Sequence, residues 1–396
     1  MTRGSFAAAL LGLIVLASLP ILLVAQARPA QAGDPLPNLT PREFEEFRLG
    51  LDDFLEVETA GEGLGPAFNG ASCASCHNVP AVGGISPVAE VRAARRTDQG
   101  AFEPVDESGE TLVHLFSTPG HGCQPAIPIE ANVISRRIPI PLFGAGLIEA
   151  IDDETLLVLA DVQARRRDAV SGRAAIIVDR ASGDSRVGRF GWKAQHATLL
   201  AFGADAYRNE MGITNDLFPS EVALGVSAAQ MRVCDVIPEP EDIPDPRTRR
   251  RGIDNFESFM RFLAPLPRAT ADATAAAGEQ IFTALDCASC HVPLLTTGAN
   301  ANPAFHRRPV PLYSDLLLHD IGTGDGIQQG AASPKEMRTP ALWGLRFRRP
   351  LLHDGSAATV DEAIRRHRGE AEAIRQNYER LDESLRATLR RFLLSL

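Results

Sequence analysis

The 396-residue sequence predicts a mainly α-helical protein of two similar halves, the first half carrying β-rich insertions. Three observations predict it. The pentapeptide Cys-Ala-Ser-Cys-His occurs twice, at Cys73–His77 and Cys287–His291. Apolar residues recur at helical spacing before the first copy and on both sides of the second. Other short segments return in the same order in each half, as in a diverged internal repeat.

Each pentapeptide implies a chemistry. Cys-x-x-Cys-His is the attachment signature of c-type haem. Two thiols three positions apart, on a turn entering a helix, can each form a thioether to one porphyrin, and the adjoining histidine then supplies an axial nitrogen to the iron. Two covalently bound c-type haems are therefore expected, attached through Cys73, Cys76, Cys287 and Cys290, with His77 and His291 as iron ligands. A redox dithiol or half a zinc site are the rival readings. A dithiol does not require histidine next to it twice, and zinc would need Cys76 and Cys287 to converge from more than half a chain apart.

At the N-terminus, Arg3 precedes an apolar run from Phe6 to Ala25, and small residues follow. Residues 1–32 read as an export signal cleaved after Ala27 or Ala32, with an uncleaved membrane anchor as the alternative. Export fits haem attachment, which places the protein on the periplasmic side in bacteria. The chain carries a net charge of −10 and is more acidic without residues 1–32, which contain Arg3 and Arg28 but no acid. That balance excludes nucleic acid as an expected partner. An electron-donating protein or cytochrome would dock through a local patch. Cys123 and Cys234 remain, either as one disulfide of an oxidising compartment or as two buried thiols.

In order along the chain, Thr40-Pro-Arg-Glu43 opens a helix as a capping box with proline at its first position. Phe44, Phe47, Leu51, Phe54 and Leu55 form its expected core stripe. Residues 89–133 and 156–187 read as two β-rich insertions, with Ala175–Val178 the best strand. Gln195–Tyr207 is helical and stops near Gly212. Prolines 238, 240, 244 and 246, followed by Arg249-Arg-Arg251, mark a linker over 236–252 with a solvated arginine run. Phe256, Phe259, Met260 and Leu263 mark a helix. Thr270–Phe282 leads into Cys287, and Asp382–Leu396 forms a last amphipathic helix. A helix before the motif and a last helix crossing it is the arrangement of small c-type cytochromes. The expected domains are 33–235 and 253–396. Pro141-Leu-Phe-Gly144 echoes Pro340-Ala-Leu-Trp-Gly344, and Trp192–Leu199 aligns with His353–Val360.

These segments resemble the di-haem oxidoreductase family within the bacterial di-haem cytochrome c peroxidase superfamily. The residues carrying the resemblance are LGPAFNGASCASCHNVPAVGG at 64–84, GRFGWKA at 188–194, NEMGIT at 209–214, YSDLLLHDIG at 313–322, MRTPALWGL at 337–345 and LLHDGSAATVDEAIRRHRGEA at 351–371. The resemblance implies two haem domains and an oxidoreductase that reduces peroxide or another small oxidant at the first haem, with electrons relayed through the second. It implies His367 as second ligand of the second iron, where relatives carry methionine, tyrosine or histidine. A surface histidine among Arg365, Arg366 and Arg368 is the alternative, and Met337 and His319 are rivals. Glu210 matches a glutamate lining the peroxidatic pocket, a candidate proton carrier whose alternative is a solvated helix-end residue. Arg92 and Ala93 stand where related peroxidases carry a displaceable histidine. His114, His121 and His196 are candidate ligands of the first iron. Trp192 could sit between the haems, and arginines 338, 346, 348 and 349 could pair with propionates. A non-catalytic electron carrier and a specialised oxidase or oxygenase remain open as alternatives.

Overall fold

The computed structural model describes residues 30–86, 88–119, 123–166, 169–235, 243–270 and 272–396. The export signal therefore lies almost wholly outside the described residues, as do His121 and positions 236–242 of the linker. Among the described residues no helix is long and apolar enough to cross a membrane.

Among the described residues, helices are the commonest regular structure, with small sheets between them. In order, the helices are α1 (Pro41–Leu55), α2 (Cys73–Cys76), α3 (Ala145–Glu149), α4 (Asp153–Arg166), α5 (Leu199–Met211), α6 (Ala228–Cys234), α7 (Gly252–Phe262), α8 (Ala273–Ala284), α9 (Val360–Arg365), α10 (Glu372–Arg380) and α11 (Glu383–Leu393). Helix α1 begins with the expected capping box: the Glu43 amide donates to Thr40 Oγ1, and Glu43 accepts from the Thr40 amide at 2.7 Å. Its buried face is narrower than expected. Phe47 and Phe54 are buried, whereas Phe44 and Leu55 are about half exposed. The partner that covers this face is α7, so Phe47 and Phe54 both stack on Phe259. Helix α7, placed by sequence at the head of the second half, thus packs on α1 and α5 of the first. The arginine run ahead of it is not simply solvated. Arg251 pairs with Asp254 and Asp216, and Arg250 Nε donates to Asn255 Oδ1 at 2.5 Å.

The first insertion is a four-stranded antiparallel sheet in which Glu90–Arg96 pairs with Phe102–Glu103, Leu112–Val113 and Val133–Arg137. The second departs from expectation, because its first part is helix α4. The Leu156-Leu-Val-Leu159 run imitates a strand. However, Asp153 and Glu154 in the first turn, with Arg165 and Arg166 in the last, complement the helix dipole. Among its described residues, the strands of this segment are the hairpin Ala175–Val178 with Ser185–Gly188. Helix α5 begins later than expected, at Leu199 behind the Thr198 cap, and ends at Gly212 in the left-handed region. Cys123 and Cys234 are bonded to each other, with Cα atoms 6.1 Å apart.

The internal repeat is visible as geometry. Phe190 bridges to His196, and at the matching place Leu351 bridges to Ala357. Thr198 then caps α5 as Thr359 caps α9. Gly144 and Gly344 both take left-handed conformations at φ near 70° before a short helical turn.

Each helix crossing that closes a half rests on a glycine. A Cβ on Gly50 of α1 would meet the Asn255 carbonyl oxygen of α7 at 2.1 Å, and one on Gly278 of α8 would meet the Thr388 carbonyl of α11 at 2.3 Å. These are backbone atoms and cannot swing aside. Gly50→Ala and Gly278→Ala should each cost about 1–3 kcal/mol or more, read as a lowered midpoint in denaturant titration. Gly183→Ala, on an exposed hairpin turn with nothing within 4 Å, provides the comparison for backbone strain alone.

Candidate functional site: two apolar cavities with one shared wall

The two pentapeptides open into two separate cavities. Cys73, Cys76 and His77 line the first, with Phe54, Leu142, Phe202, Phe256 and Met260 supplying much of its apolar surface. Cys287, Cys290 and His291 line the second, with Phe282, Leu342, Leu351, Leu389 and Leu393. The cavities have a wall in common, formed by Ile138, Pro139, Ile140 and Trp192. Trp192 is fixed by donating from Nε1 to the Ile138 carbonyl at 2.8 Å, and its ring meets His353 edge-on.

In each motif the histidine is oriented by a backbone carbonyl. His77 Nδ1 lies 2.9 Å from the Gly84 oxygen, and His291 Nδ1 lies 3.0 Å from the Tyr313 oxygen. A proton on Nδ1 leaves Nε2 with the lone pair that a metal requires. Burial lowers the pKa of both rings, that of His291 to about 4 with a further contribution from His367, so both stay neutral. The thiols are shifted the other way. Burial pushes Cys73 and Cys287 up to about 12, which makes them poor redox nucleophiles at neutral pH.

The second cavity is also lined by His367, with Ala363 and Ile364. His367 Nδ1 is 2.7 Å from the Ala363 carbonyl, so this ring also keeps Nε2 unprotonated. Among its rivals, Met337 lines the same cavity. His319 does too, but both its nitrogens are engaged, Nε2 with Asp315 at 2.9 Å and Nδ1 with Glu370 at 2.8 Å. Burial opposes its charge, yet Asp315, Cys290 and Glu370 together raise it to about 12. An imidazolium has no lone pair for iron. Gln163 of α4 donates to Asp315 Oδ2 and to the Ser289 carbonyl, so the unexpected helix braces the second pentapeptide.

The first cavity differs. His77 is the sole histidine lining it among the described residues. His114 is held by the Asn209 carbonyl and His196 by Asp205, and neither reaches the cavity. Glu210, from the end of α5, does line it, close to Glu90 and Arg92 of the strand Glu90–Arg96. Arg92 Nε donates to Glu90 Oε1 at 2.6 Å and Nη2 to Oε2 at 3.2 Å. Burial disfavours ionisation of Glu90, but the charges of Arg92 and Arg137 hold its pKa low. Glu210 is half-buried with its carboxyl desolvated, lies beside that anion and shares a hydrogen bond with it, and so is pushed up to about 8. Asn69 Nδ2 donates to Glu210 Oε2 at 3.1 Å. The pair therefore holds one proton at neutral pH, on Glu210. Sequence reasoning missed Glu90. The Glu90-x-Arg92 alternation of an inward-facing strand was its only signal, and nothing local tied it to Glu210.

Several observations fit an anionic tetrapyrrole in the second cavity. Arg338 and Arg348 line it, and burial lowers both to about 10. They bond only to carbonyl oxygens, and Arg348 Nε is buried with no partner. Buried guanidiniums without a carboxylate suit propionates. Arg346 instead bonds the Leu396 and Pro267 carbonyls, away from the cavity. Among the described residues the one cluster with metal-ligand spacing is Cys290, Asp315 and His319, so the two cysteine pairs do not form a joint zinc site.

Two separate apolar cavities, each lined by a half-buried neutral histidine and a thiol pair, suit two bound cofactors. The chain belongs to the di-haem oxidoreductase family: residues 120–396 match the family described as "Di-haem oxidoreductase, putative peroxidase". Membership implies two haems. The match begins beyond Cys73–His77, so the first site rests on its motif and geometry. No curated protein matches the chain. Among solved structures it is similar to Kuenenia stuttgartiensis hydrazine synthase, at 14% identity over 99% of this chain and 100% of that one, TM-score 0.42. It is also similar to a MauG-like protein associated with microbial copper homeostasis, at 16% identity over 93% of each chain, TM-score 0.42. A third is the diheme peroxidase BthA from Burkholderia thailandensis, at 16% identity over 92% of this chain and 87% of that one, TM-score 0.41.

The carboxylate pair makes a spectroscopic prediction. In the wild type, infrared difference spectra should show a protonated carboxylic acid at pH 7 that ionises as pH rises through about 8. Glu90→Gln removes the neighbouring negative charge, so the transition should move to lower pH. A transition unmoved by Glu90→Gln would mean that Glu90 does not act on Glu210.

Proposed function

We propose that the chain is an exported di-haem c-type cytochrome enzyme. It reduces hydrogen peroxide at the first haem, with electrons relayed through the second. In this reading Cys73 and Cys76 carry the first haem and Cys287 and Cys290 the second, with His77 and His291 as their iron ligands. His367 completes the coordination of the second iron. The two haems sit in cytochrome c-like domains, 33–235 and 253–396, joined by the linker 236–252, with α7 docked back onto the first. Export is supported by the Cys123–Cys234 disulfide, which suits an oxidising compartment. The observation that carries the reading is the asymmetry of the cavities. The second is lined by a further imidazole, that of His367, whereas the first is lined by two hydrogen-bonded carboxylates and, among the described residues, by no second histidine.

When bound, the haem irons supply peroxide coordination and the one-electron steps. The chain manages protons. Each peroxide takes two electrons and two protons and leaves as two waters. Glu210 gives its proton to the far oxygen as the O–O bond breaks, so that water rather than hydroxide departs. Glu90, kept anionic by Arg92, accepts the proton of the near oxygen and returns it to Glu210 across their hydrogen bond. Asn69 holds the Glu210 carboxyl in place. Trp192 stands in the common wall, where an indole shortens the path between the haems.

Three measurements test this. The mature protein should be coloured, with a mass increase of two haems that survives denaturation. Turnover of peroxide should fall as pH rises through about 8, because Glu210 loses its proton there. Glu210→Gln should lower kcat by about 10²–10⁴-fold and abolish that limb. Full turnover in Glu210→Gln would remove Glu210 from the mechanism. His367→Ala should convert the second haem from low-spin to high-spin, while cyanide perturbs the first haem alone. Insensitivity of both haems to cyanide and peroxide would identify an electron carrier instead.

A further inference from the structure

The end of α9 sorts its side chains between two spaces. Ala363, Ile364 and His367 line the second cavity, whereas Arg365, Arg366 and Arg368 line an open polar cleft beside it. Arg136 joins the same cleft from the strand Val133–Arg137, and His353 lines both spaces. All four arginines are exposed. None has a carboxylate within 4.0 Å among the described residues, although Arg42, Arg48, Arg165 and Arg391, also exposed, each have one. Two acids lie in the cleft. Asp325 is fully buried and engaged by Lys193 at 2.9 Å and Arg137 at 2.7 Å, and Asp354 accepts from the Ser356 amide. The rim is thus a concentrated positive patch on a chain of net charge −10.

We propose that this cleft docks an acidic electron-donor protein and that electrons enter the second haem there. The inference rests on reading His367 as a ligand of the second iron, since that places three unpaired arginines within two residues of the ligand. One electron leaves the donor's metal centre and one arrives at the second haem, with no proton or bond exchanged. Charges spread around an open rim suit a macromolecular partner better than a small anion, which would be held by donors converging in an enclosed pocket. Exposed rim charges steer encounter from about a Debye length, roughly 10 Å at 0.1 M salt. They therefore act mainly on association rate. On a chain that as a whole repels acidic partners, the patch also fixes where such a partner can land.

The test uses the oxidised full-length holoprotein without peroxide, mixed in stopped flow with a reduced acidic c-type cytochrome or a reduced basic one. Reduction of the second haem by the acidic donor should be the faster and should slow by about tenfold or more between low and high salt. Arg365→Glu with Arg366→Glu should slow it by about tenfold at low salt. Arg136→Glu, on the opposite wall and away from α9, should slow it as well, which guards against a double variant that disturbs His367. Arg42→Glu on α1, the same charge change elsewhere, should leave the rate as it was. Calorimetric binding of the acidic cytochrome to the ferric protein should weaken in the cleft variants and not in Arg42→Glu. An acidic-donor rate indifferent to salt and to the cleft variants, or a faster basic donor, would overturn the proposal. Peroxide plays no part here, so that outcome leaves peroxide reduction standing. Loss of peroxide turnover with a small-molecule reductant would have the opposite meaning.

Discussion

A backbone carbonyl fixes each pentapeptide histidine, and the rest of the architecture follows from that constraint. His77 is held by Gly84 and His291 by Tyr313, each carbonyl from the chain that returns past the motif. The bond sets the tautomer and the ring plane together, so Nε2 is free to bind iron before any cofactor arrives. It requires the return loop to lie close to the ring. The helices of each half also cross tightly, which Gly50 and Gly278 permit.

The two cavities differ in what lines them beside the pentapeptide histidine. The second adds a half-buried neutral imidazole, that of His367. The first presents a carboxyl kept protonated by a neighbouring carboxylate, which an arginine in turn keeps ionised. Environments that push two like groups apart in pKa assign one as acid and the other as base. Ile138, Pro139, Ile140 and Trp192 form the wall that the two cavities share.

Charge is arranged locally against the global balance. The molecule is acidic, yet buried cations face the second cavity and unpaired arginines gather at the cleft beside it. Buried arginines without carboxylates are costly unless an anion completes them. Solvent-exposed arginines cost little and act at a distance. The same residue type thus serves two purposes, divided by burial. Insertions serve the same centre. Helix α4 reaches from the first half to brace Ser289 and Asp315 in the second, so the halves are tied by more than their linker.

The sequence by itself marked the two pentapeptides, the repeat and the starts of the first and last helices. These depend on residues near one another in the chain: Cys73 with Cys76 and His77, Thr40 with Glu43, and Asp382 at the head of the last helix. It misread Leu156–Leu159 as extended, since an apolar run looks alike in a strand and in a half-buried helix. It could not pair Glu90 with Glu210, nor see that His319 is locked between Asp315 and Glu370, because those contacts join residues far apart in sequence. Only the tertiary structure decided which proton-bearing groups share a cavity, which arginines have partners, and that α7 covers α1. Burial and long-range proximity set charge state, and neither is written in the order of residues.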